Sequence, residues 1–68
     1  MGSIAKVIEI KTSSKSGFED AVKSGLSKAA NSLQNISGAW VKDIKVITDS
    51  KGKVTEWRVD LKVTFVLK

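Results

Sequence analysis

The chain has 68 residues, no cysteine, no histidine and a formal net charge of +5. The absence of cysteine excludes disulfides and thiolate metal sites, and the absence of histidine removes the commonest general base and transition-metal ligand. This length predicts one domain over residues 1–68, in which folding buries only about 60% of the surface of the unfolded chain. We therefore expect self-association to supply the missing burial.

The charged residues do not favour a nucleic-acid partner. Eleven of the twelve basic residues are lysines, spread from Lys6 to Lys68 with acidic residues among them, and Arg58 is the only arginine. Base readout is mostly made by arginine, and single-strand binding needs aromatic residues beside a basic groove. No apolar run approaches the ~20 residues that cross a membrane, and we find no signal peptide. We therefore predict a cytoplasmic protein with no membrane partner.

The first predicted strand covers residues 4–11, which are rich in β-branched side chains and are followed by a polar run. Ser16 lies three residues before Glu19, the spacing of a capping box, so a helix is predicted to begin there. Apolar residues then recur at three- and four-residue steps, and this pattern predicts a helix that ends near Asn35. Small residues such as Gly25 beside the apolar stripe indicate that the helix lies close to a sheet.

A second strand is predicted over 39–48 and a third over 57–67, and the short turn at 49–52 makes them a hairpin. The apolar positions of the second strand change parity near Lys42 or Asp43, which predicts a β-bulge. The third strand alternates over eleven residues, and its apolar face is longer than one helix can cover. The predicted fold class is therefore α+β, in the order β-α-β-β, with a three-stranded antiparallel sheet partly wrapped round one helix.

No pattern in the chain is typical of catalysis, so we predict a protein that is not an enzyme and has no catalytic residue. A glycine-rich phosphate loop, a nucleophile elbow and zinc-ligand spacing are all missing from the sequence. Charged residues alternate along one face of the third strand and predict a ladder of ion pairs: Glu56, Arg58, Asp60 and Lys62. Trp57 is predicted to be core or a subunit contact, whereas Trp40 is predicted to point away from the helix, where an indole needs a partner.

The sequence resembles the dodecin family over nearly its whole length. The resemblance rests on the order and spacing of four local motifs, which are Ile8-Glu9-Ile10, the Ser13-Ser14 turn with Gly17, the segment Ser32-Leu33-Gln34-Asn35 and the closing strand at 59–65. It implies a hollow homo-dodecamer that binds and stores flavins such as riboflavin or FMN.

The resemblance also implies a ligand site, and this chain departs from the family pattern at that site. In flavin-binding dodecins a tryptophan near the start of the second strand stacks on the isoalloxazine ring, and a glutamine of the third strand bonds the polar edge of the ring. Counting without gaps puts these two positions at Gly38 and Arg58, while Trp40 falls where the family usually has an acidic residue. We therefore predict ligand-binding residues Gly38, Trp40 and Arg58 and a weakened or altered flavin site.

Two alternatives stay open from the sequence. Arg58 and the turn at 49–53 also resemble the flavin-lacking, calcium-binding branch of the family, although no metal ligands can be assigned. Calcium needs several converging oxygen ligands, and Lys42 and Lys45 lie near the candidate carboxylates Asp43 and Asp49. The other alternative is a purely structural or polyanion-binding assembly that uses its lysines.

Overall fold

A computed structural model describes residues 4–67. The chain forms strand β1 (Ile4–Ser14), helix α1 (Phe18–Ala30), strand β2 (Ile36–Thr48) and strand β3 (Val54–Leu67). The strands make one antiparallel sheet in the order β1-β3-β2, so the last strand of the chain is the central strand. The predicted α+β fold and the β2–β3 hairpin are confirmed.

The core forms between α1 and the central strand. Val59, Leu61 and Val63 alternate along β3 and are at most 1% exposed, and Ala21 of α1 is fully buried against them. We call the sheet face that carries these side chains the inner face and the opposite one the outer face. Each fully buried aliphatic side chain contributes about 1.5–3 kcal/mol, so this row is the main source of stability within one chain.

Strand β1 runs to Ser14, three residues beyond its predicted end. The hydroxyl of Thr12 donates a hydrogen bond of 3.0 Å to the carbonyl oxygen of Ala21 in α1. Because the Thr12 hydroxyl points to the inner face and bonds to the helix, a polar segment that looks like a loop in the sequence is held in the sheet.

The predicted capping box is wrong. The residue before the first helical turn is Gly17, and no side chain of residues 4–67 makes a capping hydrogen bond to the helix. Ser14 of β1 holds the start of α1 in another way, because its hydroxyl donates to Asp20 Oδ2 at 2.6 Å and accepts the backbone N–H of Ser16 at 2.9 Å. The spacing of Ser16 and Glu19 therefore had no structural consequence, since the start of α1 is fixed by the preceding strand.

The helix ends at Ala30, earlier than predicted, although Leu33 still packs against the core. The backbone N–H groups of Ser32 and Leu33 both bond to the carbonyl oxygen of Ala29, so the chain tightens into a turn. Asn35 then adopts a φ of 63°, a left-handed conformation that asparagine tolerates better than most residues. This reversal lets β2 begin at Ile36, three residues before its predicted start.

The predicted bulge in β2 is confirmed. The register shifts between Val41 and Asp43, so Val41 pairs with Leu61 and Asp43 pairs with Asp60. Two further shifts, between Ile36 and Gly38 and between Ile47 and Thr48, were not predicted. The shift at 41–43 restores the inward direction of the apolar side chains in the second half of β2.

The predicted turn between β2 and β3 is also confirmed. Gly52 has a φ of 84°, which most other residues adopt only with strain. Asp49 Oδ1 accepts the backbone N–H groups of Lys51 and Lys53 at 2.8 and 3.0 Å, so its side chain holds the turn together.

The helix leaves the hairpin end of the inner face open. Ile44 is 53% exposed and Val46 43% exposed, although both pair with inward-facing residues of β3, and Trp57 is half-buried beside them. The described chain is 55 Å long, and its Cα radius of gyration is 14.2 Å. A compact domain of this size would have a radius near ~11 Å. One chain is therefore too extended to cover its own apolar surface.

Candidate functional site

The three predicted ligand residues all lie on the outer face, away from α1. Gly38 pairs with Thr64, Trp40 pairs with Lys62, and Arg58 pairs with Lys45. Each pair alternates with a buried residue of β3, which places its side chains on the opposite side of the sheet. The outward direction predicted for Trp40 agrees with this register and with its exposure of 64%.

The indole of Trp40 has a positively charged neighbour. Lys62 Nζ lies over the ring, 5.3 Å from its centre, in the geometry of a cation–π contact. Lys62 also pairs with Glu9 of β1, on its other side in the sheet. The carboxylate of Glu9 forms an ion pair with Lys42, whose Nζ lies 3.5 Å from Glu9 Oε2. These contacts could not be predicted from the sequence, because they depend on which strand lies in the centre of the sheet.

Gly38 leaves open space beside the indole. It lies two residues before Trp40 on the same face, or about 7 Å along the strand. A Cβ atom built at Gly38 would meet no atom within 4 Å. The position that the family resemblance assigns to a stacking tryptophan is therefore empty but sterically accessible.

Arg58 is not brought next to Trp40 within one chain. Arg58 lies four residues from Lys62 along β3, or roughly 13 Å, since each strand residue advances the chain by about 3.3 Å. Its Nε donates to Glu56 Oε2 at 2.6 Å, which agrees with the predicted ion-pair ladder. Asp60 departs from that ladder, because it pairs with Lys11 of β1 at 3.2 Å. The register between β1 and β3 determines this partner.

Arg58 lines an open groove of about 720 Å³ on the outer face. The charged side chains along the groove balance each other, with three cations and three carboxylates: Lys11, Lys45, Arg58, Asp43, Glu56 and Asp60. Two cross-strand pairs of β2 and β3 consist of residues with the same charge: Asp43 pairs with Asp60, and Lys45 pairs with Arg58. Such pairs are unfavourable unless neighbours compensate them, and here Lys11 and Glu56 do so.

The described residues hold no ready metal centre. Within residues 4–67, no group of three or more carboxylates is close enough to hold a metal ion. Asp49, a candidate from the sequence, directs one carboxylate oxygen to the backbone of its own turn. Residues 4–67 also contain no helix that is long and apolar enough to cross a membrane.

These features describe a small α+β protein whose candidate ligand residues lie on the free face of an antiparallel sheet. The chain belongs to the dodecin family, because the family model for dodecin matches residues 4–68. Comparison with curated protein sequences finds no match.

Solved structures of dodecins are similar to this chain over nearly its whole length. A mutant of the dodecin from Thermus thermophilus is 31% identical, with a TM-score of 0.90 and 98% of each chain covered. The dodecin from Streptomyces davaonensis is 25% identical, with a TM-score of 0.91, and the match covers 100% of this chain and 98% of that one. The calcium dodecin from Mycobacterium tuberculosis, described as having a novel calcium-binding site, is 32% identical, with a TM-score of 0.81 and coverage of 97% and 93%.

Proposed function

We propose that this chain is a non-enzymatic protein that binds and stores a small flat ligand, with a flavin such as riboflavin or FMN bound more weakly than in typical dodecins. The observation that carries the proposal is the indole of Trp40, which is 64% exposed on the outer face of a dodecin fold. An indole is a large flat π-surface with one polar N–H group, so it is a good stacking surface for a flat ring.

We further propose that the protein assembles as a hollow homo-dodecamer. The uncovered part of the inner face, which includes Ile44 and Val46, supports this assembly because another copy of the chain could cover it. The extended shape of the single chain supports it as well. Exposed apolar surface of this kind marks interaction sites in soluble proteins.

A second candidate ligand is a divalent cation such as calcium. It is supported by the 32% identity to the calcium dodecin of M. tuberculosis. Within one described chain, Asp43 and Asp60 are cross-strand partners of β2 and β3, and they are the carboxylates that such a site could share. Because Lys11 already binds Asp60, a calcium site would need oxygen ligands from further copies.

Two measurements on the purified protein test these proposals. Light scattering should give a mass about twelve times the 7.3 kDa of one chain, and a monomer or dimer at micromolar concentration would contradict the assembly. Riboflavin and FMN fluorescence should be quenched on titration with protein. If neither flavin is quenched while calorimetry detects calcium binding, with magnesium as the control ion, the cation function replaces the flavin function.

A further inference from the structure

Four successive cross-strand pairs of β2 and β3 lie on the outer face, and their order is self-complementary. In order toward the hairpin turn, the pairs are Trp40 with Lys62, Asp43 with Asp60, Lys45 with Arg58, and Ile47 with Glu56. We call the second pair the acidic row and the third pair the basic row. The first and last pairs each join an apolar side chain of β2 to a charged side chain of β3, and these two charges are opposite. Reversing the order therefore places every group opposite its complement.

The two middle rows contain charges that one chain leaves without a partner. The β3 members, Asp60 and Arg58, each form an ion pair within the chain. The β2 members differ, because among residues 4–67 neither Asp43 nor Lys45 takes part in a salt bridge, and both are exposed. Strand β2 thus presents one carboxylate and one ammonium group to solvent, about 7 Å apart along the strand.

A second copy of the chain can provide both missing partners. The two outer faces can meet about a twofold axis that runs across the strands, between the acidic row and the basic row. The acidic row of each copy then lies opposite the basic row of the other, so Asp43 faces Lys45 of the second copy and the reverse contact follows by symmetry. A twofold axis along the strands would instead place like charges opposite each other, which is strongly unfavourable.

The two outer pairs fit the same axis. Lys62 of one copy lies opposite Glu56 of the other, which gives a further pair of opposite charges. The row of Trp40, whose side chain is 64% exposed, lies opposite the row of Ile47. Neither of these apolar side chains, nor a ring stacked on the indole, is then left facing water. All four rows therefore favour one orientation of the second copy.

We propose that two copies of this chain pair through their outer faces about this axis, and that the reciprocal contacts of Asp43 with Lys45 determine the orientation. The inference rests on the proposed assembly, because it names a surface through which two of its copies meet. This surface differs from the uncovered part of the inner face, which is apolar. Rows of opposite charge fix the register and direction of a contact, whereas apolar burial is not directional.

Charge reversal tests the inference without weakening the single chain. Asp43→Lys places like charges opposite each other between the copies, and so does Lys45→Asp. Within one chain, each substitution replaces a like-charged cross-strand pair by an oppositely charged one, which should stabilise the fold. A role confined to one chain therefore predicts higher stability with an unchanged mass, whereas a role between copies predicts dissociation.

Light scattering over a range of protein concentrations, at low ionic strength, measures the association. In either single variant the concentration at which the assembly dissociates should rise at least about tenfold, because like charges across a contact are costly. The double variant Asp43→Lys/Lys45→Asp exchanges the rows, keeps the net charge and should restore the wild-type mass. Lys53→Asp is the control, since it makes the same charge change in the exposed β2–β3 turn and should not alter the mass.

Mixing the two single variants gives an independent measurement. Each lacks the charge that the other provides, so native mass spectrometry should find assemblies that contain both chains. Unchanged dissociation in the single variants, no recovery in the double variant, or no mixed assemblies would overturn the inference and leave the proposed dodecamer standing. A wild type that stays monomeric at every concentration would overturn both. If a reversal variant does not fold, Asp43→Asn and Lys45→Gln replace it and should also promote dissociation, to a smaller extent.

Discussion

Gly25 of α1 lies so close to Thr12 of β1 that a Cβ atom on Gly25 would be 2.9 Å from the Thr12 Cβ. The hydroxyl of Thr12 also bonds to the carbonyl oxygen of Ala21, one helical turn before Gly25. The hydrogen bond from Thr12 to Ala21 and the close approach of Gly25 to Thr12 both set the distance between α1 and β1. The helix cannot move away from the added atom without breaking the hydrogen bond.

Gly25→Ala should therefore destabilise the protein, although alanine is the better helix former. Overpacking of this kind costs about 1–3 kcal/mol, more than the gain of up to about 1 kcal/mol from helix propensity. Chemical denaturation of the wild type and the variant measures the difference. Gly38→Ala is the matched control, because its Cβ enters open space. Equal or higher stability of Gly25→Ala would show that the helix can shift on the sheet.

The start of α1 gives a second prediction. Ser14→Ala removes both the hydrogen bond to Asp20 and the acceptor for the N–H of Ser16, so it should lower the free energy of unfolding by about 1 kcal/mol. Ser16→Ala should change it by less than about 0.5 kcal/mol, since the Ser16 hydroxyl caps nothing in the described residues. Denaturant midpoints of the two variants distinguish these expectations. A larger effect at Ser16 would restore the capping box that the sequence pattern suggests.

The sequence predicted the elements whose signals are local and periodic. Alternation along β3 identified the buried row Val59, Leu61 and Val63, and the change of parity near Asp43 identified the bulge. The ends of the elements were predicted less well. The polar residues after Lys11 stay in the sheet because α1 provides hydrogen-bond partners, and no pattern within the strand could reveal that.

The candidate site was predicted only as a set of residues. The outward direction of Trp40 follows from strand parity, so it could be read from the sequence. Its contact with Lys62 could not, because it requires the register between β2 and β3. The separation of Arg58 from Trp40 along the outer face has the same origin. Whether these residues bind a ligand stays a prediction.

A third prediction concerns the uncovered inner face. Val46→Lys should dissociate the assembly into small species, because Val46 is only half-covered by its own chain and a buried lysine without a partner is strongly unfavourable. Thr48→Lys is the control, since Thr48 is exposed at the end of the same strand. Light scattering measures the mass of both variants. An unchanged mass for Val46→Lys would show that this surface does not contact another copy.

The last prediction concerns the stacking residue. Gly38 provides no ring at the position that the family resemblance assigns to the stacking tryptophan, so the stack must come from Trp40, about 7 Å further along β2. Arg58 can only donate hydrogen bonds, so it cannot accept from the N–H of a flavin ring as a glutamine can. Together these changes should weaken flavin binding by roughly a hundredfold relative to a site with both groups.

Three variants test this account of the weakened site. Trp40→Ala should abolish the remaining riboflavin binding, because it removes the stack. Arg58→Gln should improve it through the Arg58 of another copy in the assembly, since Arg58 and Trp40 lie apart within one chain. Gly38→Trp should also improve it, since the outer face has room for a side chain at that position. Titration of riboflavin, followed by its fluorescence, measures all three against the wild type. Tight quenching that persists in Trp40→Ala would show that the ligand lies elsewhere on the sheet.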